Sequence, residues 1–231
     1  SQTSDPLLQL ENEFRFISIF PDATAEIVDR KHGAQWRMGP VALQDESEID
    51  VGAVWVRTER SICEQYPARF RGRREGKNIR FWVMGREMQS KGSFLVHISL
   101  DGPWIEFRLL QIDEQLPSLS FPPSIESASL VLPMHLGRWI QKPVESRFFY
   151  TFFSQLNMRW FGGLDKDHGW IAVFPDENFV DSGIMLTEMS AAPTWLKQCG
   201  RWAQPHTIRY RFVAGNYVSL ARAYRDWAIE K

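Results

Sequence analysis

Cysteine is scarce in this chain: Cys63 and Cys199 are the only two in 231 residues. They lie far apart in sequence, in neither a CxxC pair nor a Cys/His cluster. That argues against zinc and leaves two unpaired, buried thiols as the simpler reading over a disulfide. An excess of one charge is also missing. Twenty-seven Lys and Arg against 28 Asp and Glu give a net charge of −1, which supplies no global pull toward nucleic acid or an anionic membrane. No apolar run approaches the roughly 20 residues that span a bilayer. A glycine-rich strand-to-helix motif is absent, so a nucleotide-binding α/β fold is not expected. So are a GxSxG elbow and a kinase signature. His32, His97, His135, His168 and His206 stand at neither HExxH nor HxH spacing and read as structural. These absences leave no catalytic residue, no metal site and no cofactor to assign.

Aromatic residues are plentiful, with ten Trp and sixteen Phe. Rings dominate buried area, so most are expected in a core. One or two could instead line a groove, where a Trp face meets the apolar face of a sugar.

The chain reads as a succession of short strands. FRFISIF, AEIVDR and AQWRM, split by PDAT and KHG, form a meander. VGAVWVRTE (51–59) adds another strand. An arginine-rich stretch (67–78) reads as a solvated loop or edge hairpin. SFLVHISL and WIEFRLLQI flank Asp101-Gly102, a tight-turn dipeptide. Residues 113–127, with Pro117, Pro122 and Pro123, read as a linker crossing between sheets. SLVLPM, RFFYTFF, FVDSGIML and HTIRYRFV are further strands. NMRWFGG and GWIAVFP form a hairpin around the longer loop LDKDH. Residues 189–205 read as irregular. About a dozen strands separated by turns indicate an all-β sandwich or barrel.

Asp165, Asp167 and Gly169 resemble the opening of a calcium loop. Such a loop needs about six oxygen ligands and usually a later bidentate Glu. Glu177 is a loose candidate, but a strand intervenes, so a polar hairpin turn is the better account. The chain offers too many acidic pairs for a glycosidase dyad to be picked out from sequence.

The last sixteen residues, NYVSLARAYRDWAIEK, differ from the rest. Asn216 suits an N-cap. Tyr217, Leu220, Ala221, Tyr224 and Ala228 recur at helical spacing as one apolar face. Neither a glycine nor a proline stop follows, so the chain reads either as an excerpt from a longer protein or as one whose ordinary C-terminal helix ends with the chain. Its start, SQTSDPLL, has no initiating Met and no signal-peptide core, which is compatible with a mature secreted form.

Several of these segments resemble one family. NEFRFISIFPDATAEIVDRKHGAQW looks like the opening of the β-supersandwich domain of certain multidomain glycoside hydrolases, with Asp29, Gly33 and Trp36 matching. LNMRWFGGLDKDHGWIAVF looks like a later hairpin of that domain, through Trp160, Gly162 and Gly169. YVSLARAYRDWAIEK is similar to the helix that leads from it into a catalytic (β/α)₈ barrel. The relatives are endo-α-N-acetylgalactosaminidase-type enzymes and neighbouring families, and the sandwich is similar to the galactose mutarotase-like fold. The resemblance implies an antiparallel β-supersandwich over 1–215 and a connector helix over 216–231. It implies a non-catalytic domain of a secreted or periplasmic enzyme, with the catalytic barrel and a glycan as partners. Trp160, Asp165, Asp167 and His168 are then the candidate carbohydrate contacts. Two alternatives remain. One is a stand-alone carbohydrate-binding module. The other is a mutarotase-like epimerase using His97 as acid and Glu106 as base.

Overall fold

The computed structural model describes residues 4–39, 69–84, 88–116, 118–134, 137–151, 156, 158–176, 181–196, 202 and 205–230. The strand expected at 51–59, both cysteines, Pro117, His135 and Glu177 lie outside the described residues.

Period-two alternation generates most of the elements. The first meander is β1 (Leu8–Glu11), β2 (Arg15–Ile19), β3 (Ala25–Asp29) and β4 (Gln35–Met38). A second follows as β5 (Arg69–Glu75), β6 (Asn78–Met84), β7 (Ser90–Asp101) and β8 (Trp104–Ile112). The short β9 (Ser118–Ser120) and β10 (Ile125–Glu126) lead to β11 (Ser129–Leu132), β12 (Arg138–Ile140) and β13 (Val144–Thr151). The chain then runs through β14 (Trp160–Asp165), β15 (His168–Val173), β16 (Ser182–Glu188), β17 (Ser190–Leu196) and β18 (His206–Ala214). It closes with α1 (Tyr217–Ile229).

Among the described residues these strands build two nine-stranded sheets. The first is ordered β1-β2-β3-β4-β10-β17-β16-β13, with β9 also on β17; the second is β12-β11-β14-β15-β18-β8-β7-β6-β5. Every pairing among the described residues is antiparallel. The architecture is the all-β sandwich expected, with one C-terminal helix.

One apolar core fills the space between the sheets, drawing on Ile17 and Ile27 from the first and Phe81, Phe107, Phe161 and Tyr210 from the second. Phe121, on the crossing segment 113–127, sits among Phe81, Phe94 and Phe107 at ring distances of 5.4, 5.0 and 6.1 Å. Three indoles tie that segment down. Trp202 Nε1 donates to the Leu116 carbonyl at 3.0 Å, Trp195 Nε1 to the Phe121 carbonyl at 2.7 Å and Trp170 Nε1 to Ser127 Oγ at 2.8 Å. Buried polar groups of an irregular segment need such partners, because leaving one unmet costs about 1–3 kcal/mol. The segment crosses between sheets as expected, but it also contributes β9 and β10 to the first sheet.

Two expectations are corrected and one is narrowed. Residues 190–196, expected to be irregular, form β17. Pro193 argued against a strand because it lacks an N–H. On one flank β17 pairs with β10 through Ser190 and Ala191 and with β9 through Thr194–Leu196. Pro193 falls between those two pairings. For the arginine-rich stretch, the edge hairpin is the reading that holds, with β5 at the margin of the second sheet among the described residues. The LDKDH loop is tighter than expected: Asp165 pairs with His168, leaving a two-residue turn with Lys166 at φ +47°.

His206 lies in the core between Trp195 and Trp202, at ring distances of 5.2 and 5.9 Å. Burial lowers its pKa from 6.5 to about 4. The unfolded chain therefore binds this proton first, and stability is lost as pH falls from about 6.5 toward 4. The shift corresponds to about 3 kcal/mol. Replacing His206 with Phe keeps a ring and removes the titration. Urea unfolding from pH 7 to 4 should then show the stability difference between wild type and variant changing by about that amount. A difference that stays flat across the window would refute this assignment.

Candidate functional site

The second sheet carries apolar residues on its outer face as well as its inner one. Val131, Trp160, Leu164, Ile171 and Val173 point away from the sandwich core and form a second cluster with Leu220, Ala223 and Trp227 of α1. Helix α1 covers this face. Asn216 caps it as expected, its Oδ1 accepting the Val218 N–H at 3.0 Å. The buried stripe is Leu220, Ala223 and Trp227, rotated from the one expected. Tyr217 is 41% exposed, Tyr224 is half-buried and Ala228 is exposed. Trp227, the largest apolar side chain of the helix, gains most from burial and sets the rotation.

The glycines of the β14–β15 hairpin fit this helix. A Cβ on Gly162 would meet the Trp170 carbonyl oxygen and lie 3.4 Å from Leu220 Cδ1. One on Gly169 would lie 2.7 Å from Leu164 Cδ2 and 3.1 Å from Leu220 Cδ2. Leu220, fully buried, thus sits on a patch free of side chains.

The candidate carbohydrate contacts separate around this seat. Trp160 is buried and stacks on Tyr224, with centroids 5.7 Å apart and an interplanar angle of 27°. Asp165 caps the neighbouring strand by accepting the Ala128 N–H. The Asp167 carbonyl accepts the Gly215 N–H at 2.6 Å, joining the hairpin turn to the helix start. His168 is half-buried and meets the His32 ring edge-on at 6.4 Å. Asp165, Asp167 and His168 therefore share one hairpin end, while the Trp160 ring lies beneath the helix.

His32 opens onto a charged cluster. Arg15 and Asp29 face each other across the β2–β3 ladder, both nearly fully buried. Arg15 Nη1 donates to Asp29 Oδ1 at 2.8 Å and to the Phe14 carbonyl at 2.9 Å, and Nη2 donates to the Phe212 carbonyl. The second Asp29 oxygen meets His32 Nδ1 at 2.9 Å. Burial pushes the Asp29 carboxyl up, but the His32 hydrogen bond, the Arg15 charge and the Lys31 N–H outweigh it and hold it below the usual value. The pair links the first sheet to β18 of the second.

A cleft of about 300 Å³ opens between this cluster and α1. Arg15, Lys31 and His32 form one wall, Arg211 the floor, and Arg222 and Asp226 the helix side. A second groove of about 480 Å³ continues along the helix past Pro103, Arg211 and Asp226 to Asp101 and Glu230. Nothing in the sequence reading pointed to this cleft. Its charges come from β2, the β3–β4 turn, β18 and α1, and only Arg15 opposite Asp29, at matched ends of two expected strands, carried a local signal.

His97 and Glu106 lie on the outer face of the β7–β8 hairpin. Register sets Arg108 opposite His97 and Ser99 opposite Glu106, which makes them diagonal neighbours. His97 Nδ1 is bonded to Asn78 Oδ1 at 3.0 Å, and Glu106 lies 3.4 Å from Arg209 Nε.

No protein-family model and no curated protein sequence matches the chain. Its fold is shared with solved glycoside hydrolases. It is similar to the α-N-acetylgalactosaminidase NagBb from Bifidobacterium bifidum, at 13% identity and a TM-score of 0.66, over 96% of this chain and 39% of that one. It is also similar to a glycosyl hydrolase family 38 protein from Enterococcus faecalis, at 11% identity and a TM-score of 0.53, over 98% of this chain and 32% of the other. An α-mannosidase from Enterococcus faecalis V583 gives 12% identity and the same TM-score of 0.53. The chain thus spans well under half the length of each, and its fold is that of a portion of these enzymes.

The glycine seat makes a prediction. Gly169→Ala, whose Cβ would press on Leu164, on the Gly163 carbonyl and on Leu220, should destabilise the chain by about 1–3 kcal/mol, the usual cost of overpacking. The near-ultraviolet circular dichroism of Trp160 and Trp227 should weaken as the helix shifts. An unchanged urea midpoint with an unchanged spectrum would mean that α1 does not depend on the seat.

Proposed function

We propose that this chain is a non-catalytic domain of a glycoside hydrolase, supporting a catalytic (β/α)₈ barrel in the same polypeptide. The observation that carries this reading is the sandwich-plus-helix likeness, which takes in 96% of this chain but only 39% of NagBb. Residues 1–215 are then the sandwich domain, a galactose mutarotase-like β-supersandwich, and 216–231 the connector.

The surface is consistent with a covered face. Tyr217, Val218 and Ile229 on α1 are exposed at 41%, 49% and 70%, and Trp139 on β12 at 55%. Large exposed apolar side chains grouped on one element are a feature of interaction surfaces. Glycan contact falls to the hairpin end with Asp165, Asp167 and His168, while Trp160 positions the helix. No helix among the described residues is long and apolar enough to cross a membrane. A secreted or periplasmic enzyme fits a glycan-directed role.

Reading the coding sequence beyond the codon for Lys231 tests the proposal. Alternating strand and helix patterns of a barrel are expected, and a stop codon at that point would sink it. In the longer protein, replacing Tyr217 and Ile229 with Ser should lower barrel stability without unfolding the sandwich.

One observation favours a second reading, a sugar epimerase: the register that brings His97 and Glu106 to one face. Exchange between sugar anomers, followed by NMR, would have to be accelerated by the chain and lost in His97→Ala. The engagement of both side chains, with Asn78 and with Arg209, leads us to expect no acceleration.

A further inference from the structure

We propose that the cleft between the first hairpin and α1 binds the oxyanion group of an acidic sugar, a carboxylate or a sulfate ester. Three observations lead there.

The first is charge. Arg15, Lys31, Arg211 and Arg222 line the cleft against one carboxylate, Asp226. Arg15 is neutralised from behind by Asp29. Among the described residues, no ion pair engages Lys31, Arg211 or Arg222. The whole chain has a net charge of −1, so this is a local concentration. Arg211 stands close enough to Arg15 that its charge contributes to lowering the Arg15 pKa, behind the larger effect of burial. Like charges held together in a concave site favour an anion between them.

The second is the state of Arg15. It is only 3% exposed, and it lines the cleft. Its Nη1 and Nη2 are fixed by Asp29, Phe14 and Phe212, and its Nε is enclosed. Arg15 therefore stands in the cleft wall as an immobilised positive charge, already in place when an anion enters. The guanidinium donors of Arg211 and Arg222, on the same cleft, match the planar oxygen pair of a carboxylate and the oxygens of a sulfate.

The third is size and lining. At about 300 Å³, the cleft is at the lower end of the range for small-ligand sites, about 300–1,000 Å³. Phe14, Pro103 and Val213 give it apolar walls, and Ser219 adds a hydroxyl. Such a lining suits the C–H face of a single ring better than an inorganic ion. His32, on the same wall, contacts the ring of His168, so the cleft borders the hairpin end assigned to glycan contact. Asp226 marks its limit, since a second acidic group would be repelled there. The sugar half of this inference rests on the glycan-contact reading above; the oxyanion half does not.

Calorimetric titration of the chain at low ionic strength tests it, with glucuronate, galactose 6-sulfate, galactose, acetate and inorganic sulfate as probes. Glucuronate or galactose 6-sulfate should bind with a Kd of about 1 mM or tighter, and the stronger of the two identifies the oxyanion. Arg222→Ala and Arg211→Gln, both outside the buried Arg15–Asp29 pair, should each weaken that binding about tenfold. Their urea midpoints should match wild type, and added salt should weaken binding further. Galactose binding as tightly as glucuronate would overturn the oxyanion site while leaving a glycan-contacting domain. Acetate or sulfate binding as tightly as the acidic sugars would overturn the sugar. No binding by any probe, or binding indifferent to both substitutions, would overturn the inference as a whole.

Discussion

The outer face of the second sheet is too apolar to meet water, and α1 is what covers it. Leu220 sets how closely the helix approaches, because Gly169 presents no side chain to press on it. From that distance the rest follows. Trp227 and Ala223 reach the sheet, Trp160 is enclosed against Tyr224, and the opposite edge of the helix stands over β18 as one side of the charged cleft. The turn that starts the helix is fastened to the β14–β15 hairpin by the Gly215–Asp167 hydrogen bond. The hairpin and the helix, read separately as two resemblances, are one packing unit.

A second constraint acts at the other side of the cleft. Burying Arg15 and Asp29 between two sheets is tolerable only because each meets several partners. Removing one partner of such a pair typically costs about 3–5 kcal/mol. This pair locks the first meander to β18 at the level of the Phe212 carbonyl, so the cleft wall is as rigid as the sheets themselves. Rigidity on one side and a helix on the other give the cleft a fixed width.

The sequence made the fold class legible because alternation over strands such as β6 and β8 and the Asp101-Gly102 turn are local signals. Asn216 as a cap was legible for the same reason. The rotation of the helix was not, because spacing ranks Ala221 and Ala228 equally with larger residues and says nothing of how much area each buries. β17 was missed because Pro193 counts against a strand unless its neighbours are known to be split between β9 and β10. The cleft was least legible of all. Arg15, Arg211 and Arg222 come from three elements, and only the pairing of β18 with β15 and β8 brings Arg211 near the helix. Trp160 stood out in sequence as a ring for sugar stacking, and its neighbours placed it under the helix instead.

The arginine-rich edge of the second sheet has a consequence of its own. Among the described residues β5 is the margin strand, carrying Arg69, Arg71, Arg73 and Arg74, and a sheet edge is a template for adding foreign strands. Bringing a second copy of β5 against it sets arginine near arginine, and like charges facing each other across strands repel. Charge thus works against edge-to-edge growth at this margin, and its effect weakens wherever salt screens it.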